Sequence, residues 1–329
     1  MDSFIFALSA VAPIIIMVVI GYILKRIGWI GPDFAKAANK LVFRVFMPVM
    51  LFVKIYGMTD FSGLDIGFIG YALAAVFIAF LVSVPASIAV ARKKNRRGVL
   101  IQAAIRSGYS LIGIPLAKEL GGDAAESAAV IISAAVIPLF NVLAVISLTA
   151  IGNESKERVS VKKILLDIIT NPLIVGIAAG LLTVGIRMIF VKYGIGFRLS
   201  SIAPAFKALE YLSSLAIPLA LLVLGAQFEL SAVGELKREI IFGVLARTVI
   251  VPALSLGVAY IFFRKSFPAA YFATFVSLFA TPVAVPSVPM VQEMGGDVTL
   301  AGQLVVWSTL VSAFTVFLFT FLLRLGGAL

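Results

Sequence analysis

Small polar residues and prolines fall together twice in otherwise apolar sequence. Ser107, Ser110 and Gly113 lead into Ile114-Pro115, and Thr281 and Ser287 lead into Val288-Pro289. Hydroxyls and open backbone at such positions are hydrogen-bonding groups suited to a carboxylate guest. The motif continues identically in both places, because Pro115, Glu119, Gly121, Gly122 and Asp123 recur at a constant offset of 174 as Pro289, Glu293, Gly295, Gly296 and Asp297. Paired, interrupted apolar segments in the two halves of a chain are a pointer to a binding site inside a membrane. Four further residues qualify as candidates. Asn141 is an amide in apolar surroundings, and Arg247 is a cation within an apolar run, which is costly there unless paired or hydrated. Glu119 and Glu293 occupy matching positions and are candidates for holding Na⁺ or a proton, or else for a place at the membrane surface.

Other chemistries are excluded by composition. The chain has neither Cys nor His, which removes thiolate, disulfide and imidazole chemistry, and no nucleophile elbow, zinc helix or phosphate loop is present. It is not expected to be an enzyme, and no cofactor, metal or nucleic acid is expected. The expected partners are a small organic anion, the lipid bilayer and, in a homodimer, a second copy.

The elements that position these residues are membrane helices. Of 329 residues, 61% are hydrophobic and 13% charged, far from the balance of a soluble domain. Apolar stretches of about 20 residues, the length that crosses the hydrocarbon core, recur along the chain. Ten are expected, at 4–24, 35–57, 66–91, 99–120, 126–151, 164–186, 204–228, 239–263, 268–292 and 298–323. The fold class is therefore an all-α polytopic membrane protein. Pro13 and Gly21 match Pro172 and Gly180, and Pro48 matches Pro218, so the ten divide into two five-helix repeats, 1–151 and 164–329, joined by a linker at 152–163. Five is odd, so the second repeat enters the membrane inverted.

Proline lacks an amide hydrogen and clashes with the preceding turn. Pro115, with Pro282, Pro286 and Pro289, is expected to break the fourth and ninth spans into half-helices that cross near mid-membrane. Pro115 and Pro289 would begin the second half-helices and direct free amides and positive dipole ends at one cavity, favouring an anion. The net charge of +11 sits mainly in loops. Lys25, Arg26, Lys36 and Lys40, the run Arg92 to Arg97, and Lys156, Arg158, Lys162 and Lys163 are cytoplasmic if both termini lie outside the cell inner membrane. Arg187, Lys192, Arg198, Lys207, Arg264 and Lys265 fit that orientation poorly. Arg106 is expected to snorkel toward the basic loop, and Arg44 to reach an interface. Asp60, Asp65, Glu154 and Glu157 are expected in loops.

These residues carry a family resemblance over nearly the whole chain. Arg106-Ser107 leading into Ile112-Gly113-Ile114-Pro115-Leu116, Ile137-Pro138-Leu139-Phe140-Asn141, Asn171-Pro172, and Ala216-Ile217-Pro218 through Gly225-Ala226 resemble the auxin efflux carrier family, which includes plant auxin exporters and bacterial malate or malonate permeases. The resemblance implies crossed helices 4 and 9, a scaffold of helices 1, 2, 6 and 7, and a transport unit of helices 3–5 and 8–10. It further implies elevator-like alternating access for organic anions. Gly113 stands where the plant exporters place Asn, and their long cytoplasmic loop is missing, which favours a bacterial carboxylate carrier over an auxin carrier. The expected function is thus secondary transport of a small carboxylate. The alternatives are a Na⁺- or H⁺-coupled symporter related to bile-acid carriers, using Glu119 or Glu293, and a receptor that binds without transporting.

Overall fold

The computed structural model describes residues 2–57, 65–152 and 161–329. The linker core at 153–160, with Glu154, Lys156, Glu157 and Arg158, and the loop residue Asp60 lie outside the described residues. Everything described is helix and short connection, and the β-type pairing among the described residues is a single antiparallel bridge between Ser107 and Val283.

Among the described residues fourteen α-helices follow one another. They are α1 (Asp2–Arg26), α2 (Pro32–Leu41), α3 (Met47–Tyr56), α4 (Ile66–Val90), α5 (Lys94–Ile105), α6 (Ile114–Ile146) and α7 (Val161–Ile169). After these come α8 (Pro172–Lys192), α9 (Ala203–Gln227), α10 (Ala232–Leu245), α11 (Val251–Phe263), α12 (Ala269–Phe279), α13 (Ser287–Glu293) and α14 (Val298–Leu325). Among the described residues six helical stretches are long and apolar enough to cross a membrane, 66–90, 172–192 and 298–325 being three of them. One of the six, 109–151, runs for 43 residues, about 65 Å at a helical rise, too long for one crossing. It bends at Gly121 and Gly122, whose backbone leaves the helical region.

Local sequence explains most boundaries. Asp65, Asn171 and Asp297 cap α4, α8 and α14, each side chain accepting an amide hydrogen from the first turn. Three π turns sit just ahead of prolines, Val42–Phe46 before Pro48, Tyr109–Gly113 before Pro115 and Ala246–Ile250 before Pro252. A proline cannot donate to the fourth residue back and its ring collides with that carbonyl, so the preceding turn widens instead of breaking. This corrects the expectation for Pro115. The half-helix containing it has already begun at Tyr109, and the break in the chain lies earlier, at Arg106 to Gly108.

The second break spans 280–286 and agrees with its prolines. By the same offset of 174, Gly108 and Ile112 correspond to Pro282 and Pro286. Without proline at those positions the first segment winds up into its π turn, whereas the second stays open.

Packing is tightest where small residues let backbones touch. A Cβ placed on Gly21 of α1 would sit 2.1 Å from the carbonyl oxygen of Leu222 on α9, and one on Gly225 of α9 would sit 2.0 Å from that of Val18. Helices held apart by a side chain there would lose this contact. In the same way α3 lies against α8, and α12 lies against the first part of α6.

Candidate functional site

The two interruptions touch. The backbone at Arg106 to Gly108 runs antiparallel to 282–284, with the Gly108 amide donating to Pro282 O at 2.7 Å and the Ala284 amide donating to Arg106 O at 3.0 Å. The Val283 amide donates to Ser308 Oγ of α14 at 3.0 Å, so a third helix fixes the pair. Chain breaks among apolar helices survive only where their polar groups find partners or line a cavity. Here both hold.

Beside the bridge is a cavity of about 30 Å³, room for a water or two. One wall carries the polar groups Arg106, Ser107, Ser110 and Asn141. The opposite wall is apolar, with Met47, Met50 and Leu51 from α3 and Leu173 from α8. The amides of Ser107, Tyr109 and Ser110 precede the first helical acceptor, as orphan donors at a helix start do, and no backbone carbonyl outside the helix takes them up.

Arg106 closes α5 and is buried, not snorkelling. Its Nη2 donates to Asn141 Oδ1 at 3.0 Å, and its Nη1 lies 3.1 Å from Met290 Sδ and 3.5 Å from Pro286 O. Asn141 is oriented for this role because its own Nδ2 donates to Ile137 O at 2.8 Å. Among the described residues no carboxylate pairs with Arg106. A buried guanidinium has five donors to satisfy, and this one has a single good acceptor.

Arg247 behaves in the opposite way and does not match its expected role as a carboxylate partner. Its Nε donates to Thr281 O at 2.9 Å, Nη1 to Ala104 O and Ile105 O, and Nη2 to Leu278 O and Phe279 O. Those carbonyls end α5 and α12, where orphan acceptors and the negative ends of the helix dipoles accumulate. One side chain from the π turn of α10–α11 therefore caps both helices that lead into the paired breaks, and no donor is left over for a guest.

The remaining candidates divide. Ser107 Oγ and Ser287 Oγ are buried without a partner. Thr281 Oγ1 donates to Ser277 O at 2.9 Å, satisfying its own helix. Gly113 is buried against α12, where a Cβ would meet Ser277 O at 2.8 Å, so its smallness serves packing. Ile114 and Pro115 do not line the cavity, and Pro115 is exposed. Val288 and Pro289 are buried in the core. At the second break the amides of Ser287 and Val288 bond to Ala284 O and Val285 O, and Pro289 has none, so the expected pair of free helix starts reduces to one, at 107–110. Glu119 is exposed, and Glu293 pairs with the exposed Arg44 at 3.0 Å. Neither faces the cavity.

Two residues were missed by sequence reasoning. Arg106 had a usable signal, an ionisable residue inside an apolar span just before a break. Lys54 of α3, whose Nζ donates to Ser110 O at 2.9 Å, had none, since only the fold brings it to the first half-helix.

Several long apolar helices around a buried, cation-bearing pair of chain breaks describe a multi-pass membrane protein. The chain belongs to the membrane transport protein family, the auxin efflux carrier family, whose profile matches residues 6–320. This is a family of transporters and not of enzymes. Among curated proteins, no sequence matches the chain.

Proposed function

We propose that the protein is a secondary transporter of a small organic anion, a carboxylate such as malate or malonate, held between Arg106, Asn141, Ser107 and the free amides of Ser107, Tyr109 and Ser110. The observation that carries this reading is the Arg106 guanidinium, buried with Asn141 as its one close polar acceptor and no carboxylate. Charge-assisted, bidentate pairing with a carboxylate would supply the acceptors it lacks. The cavity is too small for a dicarboxylate, so binding requires the apolar wall to withdraw.

In this reading ten crossings form two inverted five-helix repeats, with both termini outside. Support comes from the pairing at the breaks. Gly108 and Pro282 are equivalent under the repeat and also bond to each other, as two-fold-related positions on an axis would. Elevator-like movement is favoured by the division of the cavity. Its polar groups belong to the expected transport unit, and the apolar wall of Met47, Met50, Leu51 and Leu173 to the expected scaffold. A guest held by one unit can slide past a wall that forms no hydrogen bonds with it. Coupling through Glu119 or Glu293 receives no support from their exposed or ion-paired placement.

The test is counterflow of labelled malonate and malate in proteoliposomes, with and without Na⁺ and proton gradients. Exchange that needs neither gradient is the expected result. Ligand-induced stabilisation without any counterflow would make the protein a receptor.

A further inference from the structure

An outward-facing groove between α4 and α10–α11 has no part in the site above. It encloses about 460 Å³ and is almost wholly apolar. Its depth has a sequence cause, because α4 presents Ala74, Ala75, Ala79 and Ala86 where larger residues would fill the space. The flanking Ile78, Val82 and Leu254 are each more than half exposed. Of the three polar side chains along it, Tyr71 donates to the carbonyl of Ser255 and Ser83 to Ala79 O, which leaves the single hydroxyl of Ser255. The groove therefore offers little to a polar ligand and fits a hydrocarbon chain.

One end is strongly basic. Arg238 lies one turn before Phe242, which lines the groove, and its Nη2 donates to Ala89 O at 2.9 Å, just past Ala86. Beside it are the exposed Arg92, Lys93, Lys94 and Lys237, with Arg97 folded onto Ala91 O and Arg92 O. The nearby acids Glu239 and Asp297 are both taken by Arg96, leaving Glu235 as the exposed carboxylate of α10. No ion pair among the described residues involves Arg92, Lys93, Lys94, Lys237 or Arg238. At the other end Arg264 is turned onto Tyr260.

We infer that this groove is a binding site for one anionic phospholipid, its acyl chain along α4 and α11 and its headgroup phosphate on the basic rim at Arg238. Basic clusters at the ends of membrane helices attract anionic headgroups, and an apolar groove beside such a cluster selects a lipid over a free anion. The site is independent of the transported substrate.

The experiment measures thermal stability of the purified full chain titrated with dioleoyl phosphatidylglycerol, with dioleoyl phosphatidylcholine and with glycerol phosphate. Phosphatidylglycerol should stabilise saturably at one lipid per chain, phosphatidylcholine far less and glycerol phosphate not at all. Replacing Arg92, Lys93 and Lys94 by Gln keeps the Arg238 bond and should weaken phosphatidylglycerol binding by about fivefold per cation removed. Ala79→Trp, or Ala75→Phe as a second filling variant, should abolish saturable binding with the basic rim intact. Equal stabilisation by the two lipids, a full effect from glycerol phosphate, or unchanged binding by a folded filling variant would each overturn the assignment.

Discussion

Replacing the two buried arginines by Gln should have opposite consequences. Arg247 makes five bonds to the carbonyls that end α5 and α12. Interhelical hydrogen bonds in membranes average about 0.6 kcal/mol each, so the set is worth about 3 kcal/mol. That is a large share of the 5–15 kcal/mol typical of whole proteins, and Arg247→Gln should unfold at a clearly lower temperature. Arg106 donates to one amide oxygen at 3.0 Å, with a sulfur and a distant carbonyl as its other neighbours. Losing one such bond costs about 1 kcal/mol, and removing an uncompensated buried charge returns desolvation energy. Arg106→Gln should therefore leave thermal stability within about 1 kcal/mol of the parent or raise it. Binding should suffer instead. Two charge-assisted hydrogen bonds at about 1.5–3 kcal/mol each correspond to a loss of roughly 10² to 10⁴ in carboxylate affinity. The assay is a thermal melt of each purified variant with and without malonate or malate, followed by proteoliposome uptake. A destabilised Arg106→Gln that still binds the anion, or a fully stable Arg247→Gln, would refute the assignment of the first to the guest and the second to the fold.

Three further outcomes are expected. Pro282 and Pro286 hold the second break open, so changing both to Ala should let 283–286 wind toward helix, weaken the Ala284–Arg106 bond and depress uptake, while insertion remains; unchanged uptake would deny the break a function. Gly113→Ala forces a Cβ to within 2.8 Å of Ser277 O and should cost about 1–3 kcal/mol as overpacking, read as a lowered melting temperature that Gly113→Ser would share. Glu293→Gln removes a bridge to an Arg44 side chain that is 57% exposed, worth at most about 1 kcal/mol, and should leave uptake and its ion dependence unaltered. Loss of ion-driven uptake in that variant would revive the symport alternative.

The membrane class, the second break and the glycine ends of the half-helices were legible in the sequence because each rests on a local rule. A run of apolar residues, a triplet of prolines, and a Gly such as Gly295 with φ of 75° act without help from the rest of the chain. The first break was misplaced because proline was read as a breaker in isolation. Pro115 is tolerated by widening the turn before it, while the actual gap at Arg106 to Gly108 is held by bonds to Pro282 and Ala284, far along the chain. The roles of the arginines were hidden for a similar reason. Both are single cations in apolar sequence, and what separates them is whether helix-ending carbonyls from elsewhere arrive in range, as they do for Arg247 and do not for Arg106. Lys54 and the amide cluster of Asn39, Gln227 and Gln292 depend wholly on such long-range meetings.

The tether between α2 and α13 bears on kinetics. Asn39 donates to Gln292 and Gln227, Gln227 donates to Gln292, and in the π turn that follows α2 Arg44 holds Glu293. Three of these contacts end on α13, so a displacement of α13 by a single turn past α2 would sever those three in one event instead of step by step. A latch of that kind gives an all-or-none barrier, and the lifetime of the latched form would then be set by three weak bonds remote from the cargo. Turnover could be tuned at Asn39 or Gln292 without altering which anion is recognised.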